Sequence, residues 1–345
     1  MNFVKNLVDD MKDEFTNIAS EGKGAAEFSG YINTGCYMLN AVLSGSIYGG
    51  VPDNKILALA GEEATGKTFF ALGIVKNFLE EDEENVVCFY DTEASITMDM
   101  MRQRGVDVNR VIIVEPTTIQ QFRHHVLKLL QAYESKVDRP RMLIVLDSLG
   151  MLSTTKEMED TSEGKETRDM TKAAVIKATF RVLTLKLAKA KVPLILTNHT
   201  YAAVGAFFPT KEMSGGSGLK YAASTIVYLA KKKERDGTEV VGNIIRATMH
   251  KSRLAKENAQ VELLLKYESG LDPYYGLLPL AEKYGVIKKE GRQYVLNDGR
   301  KVFGKVINEN PEEVYTPEML DELDKAANME YRYGSANVVE DTENE

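Results

Sequence analysis

The sequence predicts an α/β protein built on a mainly parallel sheet flanked by helices, with one helix before the sheet and a small domain after it. Three observations favour this fold class. From residue 55 onward, short apolar runs alternate with segments of helical periodicity. A glycine-rich loop follows the first apolar run and precedes a helical pattern. The length of 345 residues fits about two domains and is enough to bury a substantial core.

Composition excludes several classes of protein. Hydrophobic residues make up 43% of the chain and charged residues 27%, which is typical of globular proteins and excludes collagen-like and wholly disordered chains. The two cysteines, Cys36 and Cys88, have no neighbour at metal-ligand or redox spacing, so we expect no disulfide framework or zinc ribbon. No apolar run approaches about 18 residues. We therefore expect no signal peptide, no membrane span and a cytoplasmic protein.

The formal net charge of −8 is concentrated near the carboxyl end. Residues 311–345 contain 11 acidic residues against Lys325 and Arg332, whereas residues 1–310 carry a net charge of about +1. The overall acidity therefore does not exclude a nucleic-acid partner. The acidic segment is either a solvated tail or a competitor for a basic surface.

Residues 1–27 are expected to form a helix and a linker. Apolar side chains recur at intervals of three and four residues, which places them on one face of a helix: Val4, Leu7, Val8, Met11, Phe15 and Ile18. Residues 21–26 are typical of a flexible connector. The apolar face packs either on another protomer or on the core of its own chain.

Residues 28–273 carry the pattern of the predicted core, and residues 274–345 form a smaller unit. Apolar runs predict strands at Ile56–Ala60, Val86–Tyr90, Val111–Val114, Met142–Leu146, Leu194–Thr197 and Ile226–Leu229. Helical periodicity predicts helices at Lys67–Glu80, Thr97–Gly105, Thr118–Glu134 and Thr167–Lys191. Two β-rich runs follow, Val240–Met249 and Gln260–Tyr267.

The loop after the first strand matches the phosphate-binding motif G-x-x-x-x-G-K-[ST]. Its residues are Gly61, Glu62, Glu63, Ala64, Thr65, Gly66, Lys67 and Thr68. The glycines let successive backbone N–H groups face a phosphate, and the start of the following helix adds favourable partial charge. Lys67 is expected to reach the β- and γ-phosphates of a nucleotide, and Thr68 to bind magnesium.

Two carboxylates follow buried strands and complete this predicted site. Asp147 ends a continuous apolar run and is the candidate magnesium anchor. Glu93 follows the strand that ends near Tyr90 and is the candidate base for water. The alternatives are a turn cap for Asp147 and a charge at the next helix N-terminus for Glu93.

These residues resemble the RecA-type recombinases, and among them the UvsX recombinases of bacteriophages. The resemblance covers roughly residues 28–280, in family order. It is carried by residues 43–68, 89–95, 105–112, 146–150, 197–201, 214–225, 250–253 and 271–278. The match implies a RecA-like P-loop ATPase core.

The resemblance implies an ATPase that uses ATP and magnesium, forms a helical filament on single-stranded DNA and exchanges that strand with homologous duplex DNA. A single-strand-binding protein and a recombination mediator are the implied partners, and the host cytoplasm is the implied location if a phage encodes the chain. Two other readings share the phosphate loop: a hexameric helicase of the same fold and a regulatory ATPase that ignores DNA.

The resemblance also implies roles for single residues. Lys67 and Thr68 bind phosphates and magnesium, Asp147 supports the magnesium, and Glu93 activates water. His199 stands where the cellular family has a glutamine that senses the γ-phosphate, although a lone histidine is often structural. Lys251 and Arg253 look like the family's two cations that reach the ATP of the adjacent protomer, the alternative being a solvated strand end. Met100 occupies the position of the family's nucleotide-stacking tyrosine.

Two long polar loops are expected to contact DNA, at about residues 153–169 and 201–218. Both are predicted to lack secondary structure. The candidate DNA-binding residues are Arg168, Lys172, Phe207, Phe208, Lys211, Gly215 and Gly216. The aromatic pair offers rings for stacking on bases, or a local apolar contact. A basic helix follows the first loop, and the carboxyl-terminal unit is expected to be a lid whose acidic tail weakens capture of duplex DNA.

Overall fold

A computed structural model describes residues 2–11, 16–22, 24–165, 169–202, 211–213, 217–236, 239–296 and 298–334. The helices are α1 (Asn2–Met11), α2 (Tyr37–Ser44), α3 (Lys67–Glu81), α4 (Met98–Gln103), α5 (Ile119–Glu134), α6 (Thr155–Ser162), α7 (Lys172–Ala190), α8 (Ser217–Ala222), α9 (Leu277–Lys283), α10 (Gly304–Glu309), α11 (Pro311–Val314) and α12 (Pro317–Tyr331). Within these described ranges, no helix is long and apolar enough to cross a membrane.

The strands form one large sheet and two small ones. They are β1 (Tyr31–Ile32), β2 (Val51–Pro52), β3 (Ile56–Gly61), β4 (Val86–Asp91), β5 (Val111–Val114), β6 (Met142–Asp147), β7 (Leu194–Ala202), β8 (Lys211–Met213), β9 (Thr225–Asp236), β10 (Glu239–Ser252), β11 (Gln260–Lys266), β12 (Gly270–Leu271), β13 (Lys288–Glu290), β14 (Gln293–Val295) and β15 (Lys301–Val302). The predicted strands are all confirmed, with ends shifted by at most seven residues, the largest shift being at the end of β9.

The large sheet is parallel in one part and antiparallel in the other. Its order is β12-β11-β10-β9-β3-β7-β6-β4-β5, with β8 paired to β7. The strands from β9 to β5 in this order run parallel, whereas β9, β10, β11 and β12 pair antiparallel. The prediction of a mainly parallel sheet flanked by helices is therefore confirmed. The carboxyl ends of β3, β4, β6 and β7 meet at one edge, where ligands of such sheets bind.

Both faces of the parallel part are covered. Every residue of β3 and β6 is buried, which explains their continuous apolar runs. One face packs on α2, α3 and the carboxyl-terminal helices, and the other packs on α5 and α7. Leu277 and Leu323 of the carboxyl-terminal unit belong to the same core as Leu39 of α2. The boundary at residue 274 stays a prediction, and side chains on both sides of it share that core.

The amino-terminal helix is shorter than its apolar pattern. α1 ends at Met11, and Ile18 has extended backbone dihedrals, so the predicted continuation of the helix to residue 18 is wrong there. Phe15 lies outside the described residues. Along α1, Phe3, Val4, Leu7 and Met11 are exposed.

The first predicted DNA loop contains a helix, which corrects the expectation of a structureless segment. α6 begins with a capping box, in which the Thr154 hydroxyl accepts the Glu157 N–H while the Glu157 carboxylate accepts the Thr154 N–H. The Thr154 hydroxyl also donates to Asp169 Oδ2 at 2.5 Å. These bonds close the base of the loop and account for its local order. The sequence signal was present as T-x-x-E, but a long polar run obscured it.

Candidate nucleotide-binding site and nucleic-acid interface

The phosphate-binding loop joins the buried strand β3 to helix α3. Gly66 precedes the helix with φ of +86°, and Ala64 also adopts a positive φ of +54°. A Cβ at Gly66 would lie 2.6 Å from Leu265 Cδ2, so the Leu265 side chain would have to shift, and the positive φ would strain any other residue at this position. The backbone curl at the start of α3 is the geometry that presents N–H groups to a phosphate.

Lys67 lies folded against this loop. Its side chain is buried, with 7% of the residue exposed, and Nζ donates to the carbonyls of Gly61 at 3.2 Å and Glu62 at 2.9 Å. Burial lowers the pKa of Lys67, while the nearby carboxylates of Glu93 and Asp147 act in the opposite direction. The ammonium therefore sits at the mouth of the loop, where it suits a phosphate group.

Thr68 and Asp147 place oxygen atoms beside the loop. The Thr68 hydroxyl donates to Asp147 Oδ2 at 2.7 Å, and Asp147 Oδ1 accepts from the Thr197 hydroxyl. Burial raises the pKa of Asp147, which is 2% exposed. Hydroxyl and carboxylate oxygens are ligands that Mg²⁺ prefers.

The described residues contain no group of three or more His, Cys, Asp or Glu that would hold a metal by themselves. A magnesium ion here would therefore need phosphate oxygens and water in addition to Thr68 and Asp147, as Mg²⁺ in nucleotide sites does.

Glu93 is held at the same sheet edge by three neighbours. Asp91, the last residue of β4, accepts the Glu93 N–H at 3.0 Å and the Ile96 N–H at 3.1 Å, which shapes the turn. Glu93 Oε1 accepts from the Ser148 hydroxyl at 2.7 Å and lies 3.2 Å from His199 Nε2. Burial raises the pKa of Glu93, but the hydrogen bonds from Ser148 and His199 and the charges of His199 and Lys67 outweigh it, so the pKa is lowered.

Sequence reasoning did not single out Ser148 or Asp91. Ser148 is fully buried; its N–H donates to the Thr92 hydroxyl, and its carbonyl accepts from that hydroxyl, both at 2.8 Å. The Asp147–Ser148 peptide bond is cis. Asp91 pairs in register with Asp147 across β4 and β6. The sequence signal that could have found them is a polar residue at or directly after the end of a buried strand, as Asp91 ends β4 and Ser148 follows β6.

These side chains line a common cavity of about 380 Å³. Lys67, Thr68, Glu93, Asp147 and His199 lie along its wall, so the structure brings all five sequence-predicted residues together. The cavity also reaches side chains that the sequence did not suggest: Phe69, Arg104 and Tyr267.

Met100 does not line this cavity but is partly buried against the core. The Arg104 guanidinium lies 4.1 Å from the centroid of the Phe69 ring. The wall beyond the phosphate loop is thus formed by a stacked cation and ring.

Lys251 and Arg253 lie at the other edge of the sheet. Ser252 of β10 pairs with Thr225 of β9, and Thr225 pairs with Leu57 near the amino end of β3. The phosphate loop begins at Gly61, at the carboxyl end of β3. Four residues of strand separate the two edges, about 13 Å. Neither cation lines the cavity of its own chain.

The two cations differ in their surroundings. Lys251 Nζ donates to the carbonyls of Lys220 at 2.6 Å and Ala223 at 2.8 Å, at the end of α8, and burial lowers its pKa. Arg253 is exposed. The positive charge of Arg253, after burial and Lys191, also lowers the pKa of Lys55 at the start of β3. Arg253 is therefore the more available of the two for a partner.

Five of the seven predicted DNA-binding residues lie outside the part of the chain that the structure describes. They are Arg168, Phe207, Phe208, Gly215 and Gly216. The second predicted DNA loop contains strand β8, in which the backbone of Lys211 pairs with Ala202 of β7. The expectation that this loop lacks secondary structure is therefore wrong at residues 211–213. Lys172 Nζ donates to Glu157 of α6 at 3.4 Å. Further along α7 the exposed basic side chains are Lys177, Arg181, Lys186 and Lys189.

The fold and the cavity define a P-loop nucleotide-binding protein of the α/β class. The family model of the RecA N-terminal domain matches residues 11–272, about three quarters of the chain, and the chain belongs to this family. The resemblance read from the sequence is thereby confirmed.

Similar proteins come from a phage and from bacteria. The "Recombination and repair protein" of Enterobacteria phage T4 is 34% identical over 258 residues, which cover 75% of this chain and 65% of that protein. Protein RecA of Rhizobium leguminosarum bv. viciae is 29% identical over 295 residues, 81% of this chain and 78% of that protein. Protein RecA of Brucella canis is 30% identical over 295 residues, covering 81% and 76%. The chain thus spans slightly less than two thirds of its phage relative.

Proposed function

We propose that this protein is an ATP-dependent recombinase that assembles on single-stranded DNA and catalyses homologous pairing and strand exchange. The names of the phage and bacterial relatives, a recombination and repair protein and protein RecA, support this function. The observation that carries it is the division of the hydrolytic residues between two edges of one sheet. Lys67, Glu93 and Asp147 gather at the carboxyl edge, while Arg253 lies about 13 Å away at the amino edge.

The residues that line the cavity support nucleotide binding and hydrolysis. Lys67 and the loop N–H groups would hold the phosphates, and Thr68 with Asp147 would hold magnesium, which would neutralise phosphate charge. Glu93 is ionised at neutral pH, and its lowered pKa keeps it so at more acidic pH; it orients a water molecule and accepts its proton. The Ser148 and His199 contacts aim the carboxylate of Glu93.

The remaining positive charge comes from a second protomer. A single chain cannot bring Arg253 to its own phosphate loop, because four residues of β3 lie between them. Stacking copies head to tail sets the amino edge of one against the carboxyl edge of the next, which generates a filament. Hydrolysis then depends on assembly, since Lys251 and Arg253 stabilise charge developing on the neighbour's ATP.

DNA is coupled to the site through β7. His199 lies on this strand next to Glu93, and three residues later the strand leads into the second DNA loop. Phe207 and Phe208 in that loop supply rings for stacking on bases, and Lys211 supplies charge.

A single-strand-binding protein and a recombination mediator are the expected partners. The expected location is the cytoplasm, which is that of the host cell if a phage encodes the protein.

The experiment is steady-state ATP hydrolysis with and without single-stranded DNA across protein concentrations. We expect strong stimulation by DNA that rises cooperatively with protein concentration. Rates indifferent to DNA would instead support a regulatory ATPase, and closed rings in electron micrographs would support a hexameric helicase.

We call the nucleotide site that takes its phosphate loop from one protomer and Arg253 from the next the shared site. Mixing two inactive chains tests it. Arg253→Ala keeps the phosphate loop, and its hydrolysis should fall about 10³-fold. Lys67→Ala keeps Arg253 but lacks the phosphate partner. In a filament of equal parts, about one interface in four joins an intact loop to an intact Arg253, so the mixture should regain about a quarter of the wild-type rate. A mixture as inactive as its components would exclude the shared site.

A further inference from the structure

The turn that carries Arg253 has a defined internal structure. We name residues 252–258 the 252–258 turn. The Ser252 hydroxyl accepts the Leu254 N–H at 3.1 Å and the Ala255 N–H at 2.9 Å. Asn258 has a φ of +64°, and its backbone N–H closes the turn by donating to the Met249 carbonyl at 2.7 Å. These bonds set the shape of the turn and tie it to β10, but they do not connect it to the carboxyl-terminal unit.

The 252–258 turn is attached to the end of the carboxyl-terminal unit. We name residues 329–333 the 329–333 segment. The Lys256 N–H donates to the Tyr331 carbonyl at 2.6 Å, and Lys256 Nζ donates to the Met329 carbonyl at 2.9 Å. The Glu257 N–H donates to the Tyr333 hydroxyl at 3.2 Å, and Ala255 forms an antiparallel bridge with Arg332. The segment thus makes contact with three consecutive residues of the turn.

Helix α12 fixes this segment to the core. Asp324 Oδ1 accepts from the Ser46 hydroxyl at 2.6 Å and from the Ile47 N–H at 2.8 Å, directly after α2. A Cβ at Gly45 would lie 2.8 Å from Arg332 Cβ, which shows how closely the two parts approach. Since α2 belongs to the main core, α12 spans from the core to the 252–258 turn.

We infer that the 329–333 segment is a positioning device that holds Arg253 at the angle needed to reach the ATP of the adjacent protomer. Tyr333 of the segment contacts the turn, and Lys256 of the turn contacts the segment. Both are positioning residues, because neither needs to touch nucleotide. The inference rests on the proposed shared site. It assigns to the carboxyl-terminal unit a role on the Arg253 side of the interface, distinct from its expected role as a lid.

A mixture of two variant chains, with the change placed in only one of them, separates this positioning role from a general loss of stability. The acceptor chain is Arg253→Ala, which provides the phosphate loop, and the donor chain is Lys67→Ala, which provides Arg253. Tyr333→Ala is added to one chain at a time, and Lys256→Met is tested in the same way. Lys325→Met, an exposed lysine of α12, is the matched control. The measurement is kcat and KM for ATP with single-stranded DNA.

We expect each change in the donor to lower kcat of the mixture about threefold to tenfold, as loss of a hydrogen bond does, with KM unchanged. The same change in the acceptor leaves kcat within about twofold. Equal losses from donor and acceptor, or no loss from either, overturn the inference while the shared site stands. If the mixture of the Arg253→Ala and Lys67→Ala chains, with no further change in either, shows no activity, the shared site is overturned, and this inference with it.

Discussion

At the scale of single residues, Glu93 is the proposed base for water. Its pKa is lowered although burial alone would raise it, because Ser148 and His199 contact its Oε1. A lowered pKa means that Glu93 favours the folded state fully above its ordinary value of 4.5. This contribution is lost as pH falls through the lower folded value.

Replacing Ser148 with Ala removes the shortest of these contacts. The pKa of Glu93 then rises, because a hydrogen bond to its charged form is lost while burial persists. We expect the acid limb of the pH profile of kcat to move to higher pH, and kcat at pH 7 to fall about threefold to tenfold. Ser135→Ala, at the exposed end of α5, is the control. An unchanged acid limb would contradict the role of Ser148.

At the scale of elements, β7 and α6 lie next to the two segments that are predicted to contact DNA. β7 pairs with β3 so that His199 lies opposite Gly61 of the phosphate loop. α6 stands at the base of the first loop, where Asp169 accepts from Thr154 and from the Thr171 hydroxyl at 2.6 Å. Hydrogen bonds that Asp169 accepts from Thr154 and Thr171 lower its pKa to about 2.

His199→Ala should uncouple DNA from hydrolysis. The contact with Glu93 is lost, so we expect little stimulation by single-stranded DNA while affinity for ATP stays within about twofold. His199→Gln keeps a donor at this position and should retain much of the stimulation. The ratio of rates with and without DNA is the measurement. Full stimulation in the Ala variant would remove His199 from the coupling.

Thr154→Ala should loosen α6 without unfolding the protein. Loss of an N-cap costs about 1 kcal/mol, which corresponds to about fivefold faster amide exchange in the helix. The change also leaves Asp169 without one of its donors. Hydrogen exchange of residues 156–162 measures the effect, with α5 as the internal reference. Equal protection in the variant and the wild type would show that the capping box does not hold α6.

At the scale of the whole molecule, charge is divided between a nearly neutral body and an acidic carboxyl end. Residues 1–310 carry about +1, and residues 311–345 carry 11 acidic side chains. The segment from residue 335 onward lies outside the described residues. Its charge opposes the approach of a polyanion at long range, and salt screens this effect.

Deleting residues 338–345 removes four acidic side chains and changes the formal net charge from −8 to −4. We expect duplex DNA to bind about tenfold more tightly at low salt, with the difference shrinking as salt rises. The measurement is the affinity for duplex DNA across a salt series. A shorter chain with unchanged affinity and salt dependence would exclude the tail as a competitor.

The sequence alone determined the parallel α/β core and the set Lys67, Thr68, Glu93 and Asp147, because buried parallel strands are continuous apolar runs and polar residues follow them at one edge. Only the tertiary structure decided what surrounds them. Ser148 contacts Glu93 across 55 residues of sequence, and Tyr333 contacts Glu257 across 76. Local periodicity carries no information about such distant pairs. Strand pairing and helix packing bring them together, as they also set Arg253 apart from its own phosphate loop.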